Sequence, residues 1–98
     1  MITDVIERSG LYCIYNGNNQ SGVIPIQLGE LLGIGLNFIL LDDGILYKTF
    51  DYNGNMVNTL PKQIGEFKNV AGNNFNLILN NMVSMYNSNC QKIKTTFI

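Results

Sequence analysis

Four groups of residues in this sequence have types and spacings that could do chemistry. Asp42 and Asp43 stand side by side, and Glu30 and Glu66 hold matching places in two similar segments. Either pair could supply the two carboxylates of general acid and base catalysis. The stretch "DYNGNM" sets oxygen ligands at Asp51, Asn53 and Asn55, the spacing that opens a calcium loop. "GELLGIGL" brings Gly33 and Gly35 close together, as in loops that cradle phosphates. Tyr12, Tyr15, Tyr47 and Tyr52 offer rings that stack on sugars or bases.

Each group also has a purely structural explanation. A calcium loop of this type needs glycine at its sixth position and glutamate at its twelfth, and those places hold Met56 and Lys62. Asn followed by Gly between apolar alternations is instead a hairpin signal, because both residues tolerate positive φ. Paired aspartates before a glycine are ordinary turn formers. The Gly33/Gly35 pair lacks a third glycine and a lysine. Tyrosines in strands pack in the core with the hydroxyl at the sheet rim. The chain has no histidine, so no serine or cysteine has the usual base, and the commonest metal ligand is missing. Cys13 and Cys90 are too few for a zinc site or a disulfide framework. The expectation is therefore no catalytic residue, no metal and no cofactor. The candidate contacts for a ligand or partner are Tyr12, Tyr15, Gln27, Glu30, Tyr47, Tyr52, Gln63 and Glu66.

Composition narrows the partners. Ninety-eight residues make one domain with one modest core. Apolar residues are 46% of the chain and charged residues only 13%, so the surface must carry neutral polar groups or exposed apolar patches, and the latter favour association. The net charge is -1, and the bases Arg8, Lys48, Lys62, Lys68, Lys92 and Lys94 are scattered apart from the last two. That pattern argues against a phosphate-tracking groove for nucleic acid and against anionic membrane surfaces. "MITDVIERSG" has neither the basic start nor the apolar stretch of a signal peptide, and "LLGIGLNFILL" is too short and glycine-broken to span a bilayer. The expected location is the cytoplasm or a phage particle.

The elements that must position these residues are mostly strands. "YNGN" occurs at Tyr15 to Asn18 and at Tyr52 to Asn55, with "YNSN" at Tyr86 to Asn89, and all three read as turns. A tip at Asn53 and Gly54 sets Phe50 against Val57 and Tyr47 against Leu60. A second tip at Asp43 and Gly44 sets Leu41 against Leu46 and Leu40 against Tyr47, so residues 37 to 60 form an antiparallel meander. The segments "LYCIYNGNNQSGVIPIQLGEL" and "LYKTFDYNGNMVNTLPKQIGEF" share P-x-Q-[LI]-G-E-[LF], which implies an internal repeat of about 36 residues with units near 10–41 and 44–79. In both units Gln27 with Glu30, and Gln63 with Glu66, are expected to satisfy backbone donors where a strand leaves the sheet.

Residues 74–87 show a different period. Phe75, Ile78, Leu79, Met82, Val83 and Tyr86 recur at i, i+3, i+4, i+7, i+8 and i+11, which predicts an amphipathic helix. "QKIKTTFI" alternates as a final strand with Ile93 and Phe97 on one side and Lys92 and Lys94 on the other, and such lysines suit an edge. The fold class is thus α+β and β-dominated, an antiparallel meander from the repeat plus one helix and a C-terminal strand, with an all-β repeat meander as the alternative.

The repeated unit, an aromatic strand, an Asx turn ending in glycine and "SGVIPIQ", resembles the WG-type β repeats of bacterial proteins. Leu11-Tyr12 and Leu46-Tyr47 stand where that family has tryptophan-glycine, and the chain has no tryptophan. The resemblance covers residues 2 to about 70 and implies a non-catalytic interaction module. The leading expectation is a small non-enzymatic protein that self-associates, an assembly or structural subunit of bacterial or phage origin. The alternatives are an inhibitor or immunity protein that binds another protein, and a small-ligand or sugar binder with two repeat-related pockets.

Overall fold

The computed structural model describes residues 1–98 and contains strands, short 3-10 turns and no α-helix. Three antiparallel sheets follow one another along the chain. The first holds β1 (Asp4–Arg8), β2 (Leu11–Asn16) and β3 (Asn19–Pro25), in that order. The second holds β4 (Glu30–Ile34), β5 (Phe38–Asp42), β6 (Leu46–Asp51) and β7 (Met56–Pro61). The third holds β8 (Glu66–Ala71), β9 (Asn74–Leu79), β10 (Met82–Asn87) and β11 (Lys92–Phe97). The chain passes between sheets through single 3-10 turns at Ile26–Leu28 and Lys62–Ile64.

The sheets stack in three layers because the middle one is apolar on both faces. In "FILL" of β5, Ile39 and Leu41 point one way, into a cluster with Tyr12, Ile14, Ile24 and Phe50. Phe38 and Leu40 point the other way, into a cluster with Tyr47, Phe75, Leu77 and Tyr86. An unbroken apolar run is what a strand covered on both faces requires. Neighbouring layers also share backbone bonds, from Ile2 N–H to Leu36 C=O at 2.6 Å and from Leu36 N–H to Gly72 C=O at 3.0 Å.

The meander over 37–60 forms, with Tyr47 opposite Leu60 as expected, but its turns differ in detail. A bulge at Thr49/Phe50 brings Phe50 opposite Met56 rather than Val57. At the other turn Leu41 lies opposite Lys48, not Leu46, and Leu40 opposite Thr49, not Tyr47, because Asp43 Oδ1 gathers the N–H groups of both Ile45 and Leu46 into a longer loop.

The predicted helix over 74–87 is absent, and β9 and β10 form a hairpin there. Asn80 and Asn81 both adopt positive φ, 52° and 64°, the two-residue turn that asparagine supports best after glycine. The side chains that settle the matter are Phe75 and Leu77, which alternate with Asn74 and Asn76 and are fully buried, while Leu79 of the supposed stripe is 42% exposed. No helix is long and apolar enough to cross a membrane.

Several bonds recur at a constant interval. Ile26, Lys62 and Ile98, at positions 26, 62 and 98, each donate a backbone N–H across a strand pair, to Gly10, Ile45 and Asn81 respectively, at 3.0, 3.0 and 2.9 Å. Pro25 and Pro61 precede the first two with the same extended backbone, φ -60° and -63°.

Candidate functional site

The paired aspartates are occupied by structure. Asp42 Oδ1 accepts from Gly44 N–H at 2.7 Å, and Asp42 Oδ2 meets Lys62 Nζ at 2.8 Å. Asp43 Oδ1 accepts from Ile45 and Leu46 N–H at 2.9 and 2.7 Å, and its Oδ2 meets Lys48 Nζ at 3.1 Å. The two backbone donors, Leu46 first, and then Lys48, hold the Asp43 carboxyl down at about 2. A carboxyl so acidic stays ionised and does not serve as a proton donor near neutrality.

This shift carries a sign. Because the folded value lies below the ordinary carboxylate value of about 3.9, its contribution to stability is full above that pH and fades as pH falls through about 2. Asp43→Asn should therefore melt lower than the native protein at neutral pH, and the gap should close on titration to about pH 2, as read by circular dichroism melts. A gap of constant size across that range would sink the argument.

The "DYNGNM" loop is likewise closed by its own backbone. Asp51 Oδ1 accepts from Asn53 and Asn55 N–H at 2.9 and 3.0 Å. Asn87 Oδ1 repeats the pattern with Asn89 and Gln91 at 2.9 and 3.1 Å. Lys62, the residue at the twelfth place of the loop, pairs with Asp42, well away from the turn in sequence. No cluster of three cysteine or acidic side chains is present to hold a metal ion.

The candidate tyrosines divide into two kinds. Tyr12 and Tyr47 are buried, and each hydroxyl reaches across to the glycine that opens the next sheet. Tyr12 donates to Gly29 C=O at 2.9 Å and accepts from Leu31 N–H at 3.2 Å. Tyr47 donates to Gly65 C=O at 2.7 Å, and burial pushes its hydroxyl above the ordinary value. Tyr15 lies half-buried on the outer side of the first sheet with its hydroxyl 3.4 Å from both Arg8 Nη1 and Gln20 Oε1. Tyr52 sits exposed on the β6–β7 loop, whose backbone carbonyl takes the Ser21 hydroxyl of the first sheet.

Gln27, Glu30, Gln63 and Glu66 are all exposed, and their side chains make no hydrogen bond in the structure. The expected role in satisfying backbone donors is therefore corrected. Gly29 and Gly65 N–H bond to the carbonyls of Ile26 and Lys62 within the 3-10 turns, so the turns close on themselves. The eight candidate residues do not converge: they lie on three different sheets, two interlayer turns and the β6–β7 loop, and no cleft of small-molecule size opens beside them. Of the thiols, Cys13 is buried and Cys90 is half-buried against Thr49, with burial raising the Cys90 thiol.

The sequence marks Ile93 and Phe97 as the apolar residues of the final strand, and the structure adds how open that strand is. Every residue of β11 is exposed, so this edge strand stands clear of the neighbouring layer on both faces. Ile93 is 52%, Phe97 79% and Ile98 72% exposed. Phe97 pairs with Met82, which pairs with Leu79, so three apolar side chains run in a row across the sheet. Lys92 and Lys94 lie on the same strand as expected.

Comparison with family models, with curated proteins and with solved structures finds no match to this chain.

Proposed function

We propose that the chain is a non-enzymatic interaction module that self-associates and serves as an assembly or structural subunit. The observation that carries this reading is β11, an edge strand exposed on both faces that bears Ile93 and Phe97 and continues into Ile98. An open apolar edge is a template for pairing with another chain. The groups that could have done chemistry point the same way, since the aspartates close turns and the buried tyrosines tie one layer to the next. The recurrence of the tyrosine-to-glycine bond and of the 26, 62, 98 donors supports a duplicated unit, in line with the likeness to WG-type repeats and the non-catalytic role that it implies.

Light scattering behind a sizing column tests the reading. The expected result is a mass above that of one 11.0 kDa chain, falling towards it on dilution. A strict monomer at every concentration would defeat self-association and leave a different protein as the partner.

A further inference from the structure

The sheet edges of this molecule are not equally open. On β1 the outward N–H of Val5 is taken by its neighbour Asp4 Oδ1 at 2.8 Å. On β7 the N–H of Thr59 is taken in the same way by Asn58 Oδ1 at 2.8 Å. β4 and β8 each carry a bulge midway, at Leu31/Gly33 and Phe67/Asn69. Side-chain capping and bulges are devices that stop an edge from recruiting another strand.

Proline closes two further positions. In an antiparallel pair, successive residues turn their N–H groups alternately towards and away from the partner strand. Ile26, Lys62 and Ile98 donate inward, so the residues just before them face outward, and these are Pro25, Pro61 and Phe97. Proline has no N–H to offer and is confined to such edges. At the third position the chain has phenylalanine instead, with a free outward N–H and a side chain that is 79% exposed. By the same alternation Thr95 faces outward, and no side chain accepts its N–H. The bulge on β11 falls at its start, around Ile93, and leaves Lys94 to Phe97 regular.

We propose that β11 is the self-association surface, pairing antiparallel with β11 of a second copy about a two-fold axis to join two four-stranded sheets into one of eight strands. This rests on the self-association reading and assigns it a geometry. The outward groups of Thr95 and Phe97 supply the bonds between the copies. They meet when Thr95 lies opposite either Thr95 or Phe97 of the second copy. In both registers Lys94 faces Thr96 or Ile98 of the second copy and never its own equivalent, so no like charges are opposed. With Thr95 opposite Thr95, Phe97 faces Ile93 of the second copy, so the row of Leu79, Met82 and Phe97 continues across the joint, and the second copy covers apolar surface that one copy leaves in water. Assembly stops at two copies by this route, because the joined sheet ends on both sides in β8, whose bulge at Phe67/Asn69 blunts it.

The test installs at the third position the residue found at the other two. Phe97→Pro is compared with the native chain by light scattering, and amide hydrogen exchange on the native chain is followed with dilution. The expected result is a dimer for the native chain, a monomer for Phe97→Pro at equal concentration, and at least tenfold slower exchange of the Thr95 and Phe97 amides in concentrated than in dilute native protein. A native dimer whose Thr95 and Phe97 amides exchange equally fast at both concentrations would overturn the β11 pairing while leaving self-association intact, whatever Phe97→Pro does. A folded Phe97→Pro that remains dimeric would overturn it as well. A native monomer throughout would overturn the self-association reading and this geometry with it.

Discussion

Alanine at Gly54 is expected to destabilise the protein by about 2–5 kcal/mol, the larger effect of the two glycine substitutions that the hairpin turns invite. Gly54 has φ +86°, where a Cβ costs about 1–2 kcal/mol by itself. A Cβ there would also lie 2.5 Å from Val23 O and 3.1 Å from Val23 N, because the β6–β7 turn presses against β3 of the first sheet. Relieving that contact means moving one layer against another, about 1–3 kcal/mol for an overpacked site. Gly44 supplies the control: its φ is +96°, but nothing lies within 4 Å of a Cβ. Gly44→Ala should therefore show the backbone cost alone. Denaturant midpoints at unchanged m-value separate the two, and equal losses would show that the turn and the first sheet do not press together.

Tyr47→Phe should cost about 1–3 kcal/mol, since it leaves the Gly65 carbonyl without its donor deep between layers. Tyr47 is only 1% exposed and its bond is fully buried, whereas Tyr12 is 5% exposed and its two bonds lie nearer the rim. Water can replace part of what Tyr12→Phe removes, so the Tyr47 substitution should be the more damaging in thermal melts. The reverse order would mean that the layer contact is wetter at Tyr47 than its burial indicates.

The meander was legible because its signals are local. Asn-Gly and Asp-Gly turns, period-two alternation and a final lysine-bearing strand can each be read within a dozen residues. The hairpin over 74–87 was misread because two periods coexist there. Phe75, Ile78, Leu79, Met82, Val83 and Tyr86 fit a helix, while "NFNL" alternates as a strand, and the Asn80-Asn81 turn that decides between them lacks the glycine that usually marks it. Exact register also escaped, since the bulge at Thr49/Phe50 and the carboxylate-capped loop after Asp43 depend on contacts made only in the folded chain. The roles of Tyr12 and Tyr47 needed the third dimension: their repetition was visible, but the glycine carbonyls that they meet lie in the next layer. The open edge at Phe97 left one trace, the place in the 25, 61, 97 series where proline gives way to phenylalanine.

The double-sided burial of β5 bears on how the molecule comes apart. Removing the second sheet would open both apolar clusters at once, whereas the first or the third can peel away and expose only one. Opening free energies should thus be graded along the chain, highest in the middle and lowest at the ends, as in a short linear array with nearest-neighbour coupling. Every pairing within a sheet joins neighbours in sequence, so folding can begin at the second sheet and spread outward without long loop closures. The third sheet, which carries the open edge, is then a unit that the rest of the chain can release and recapture on its own.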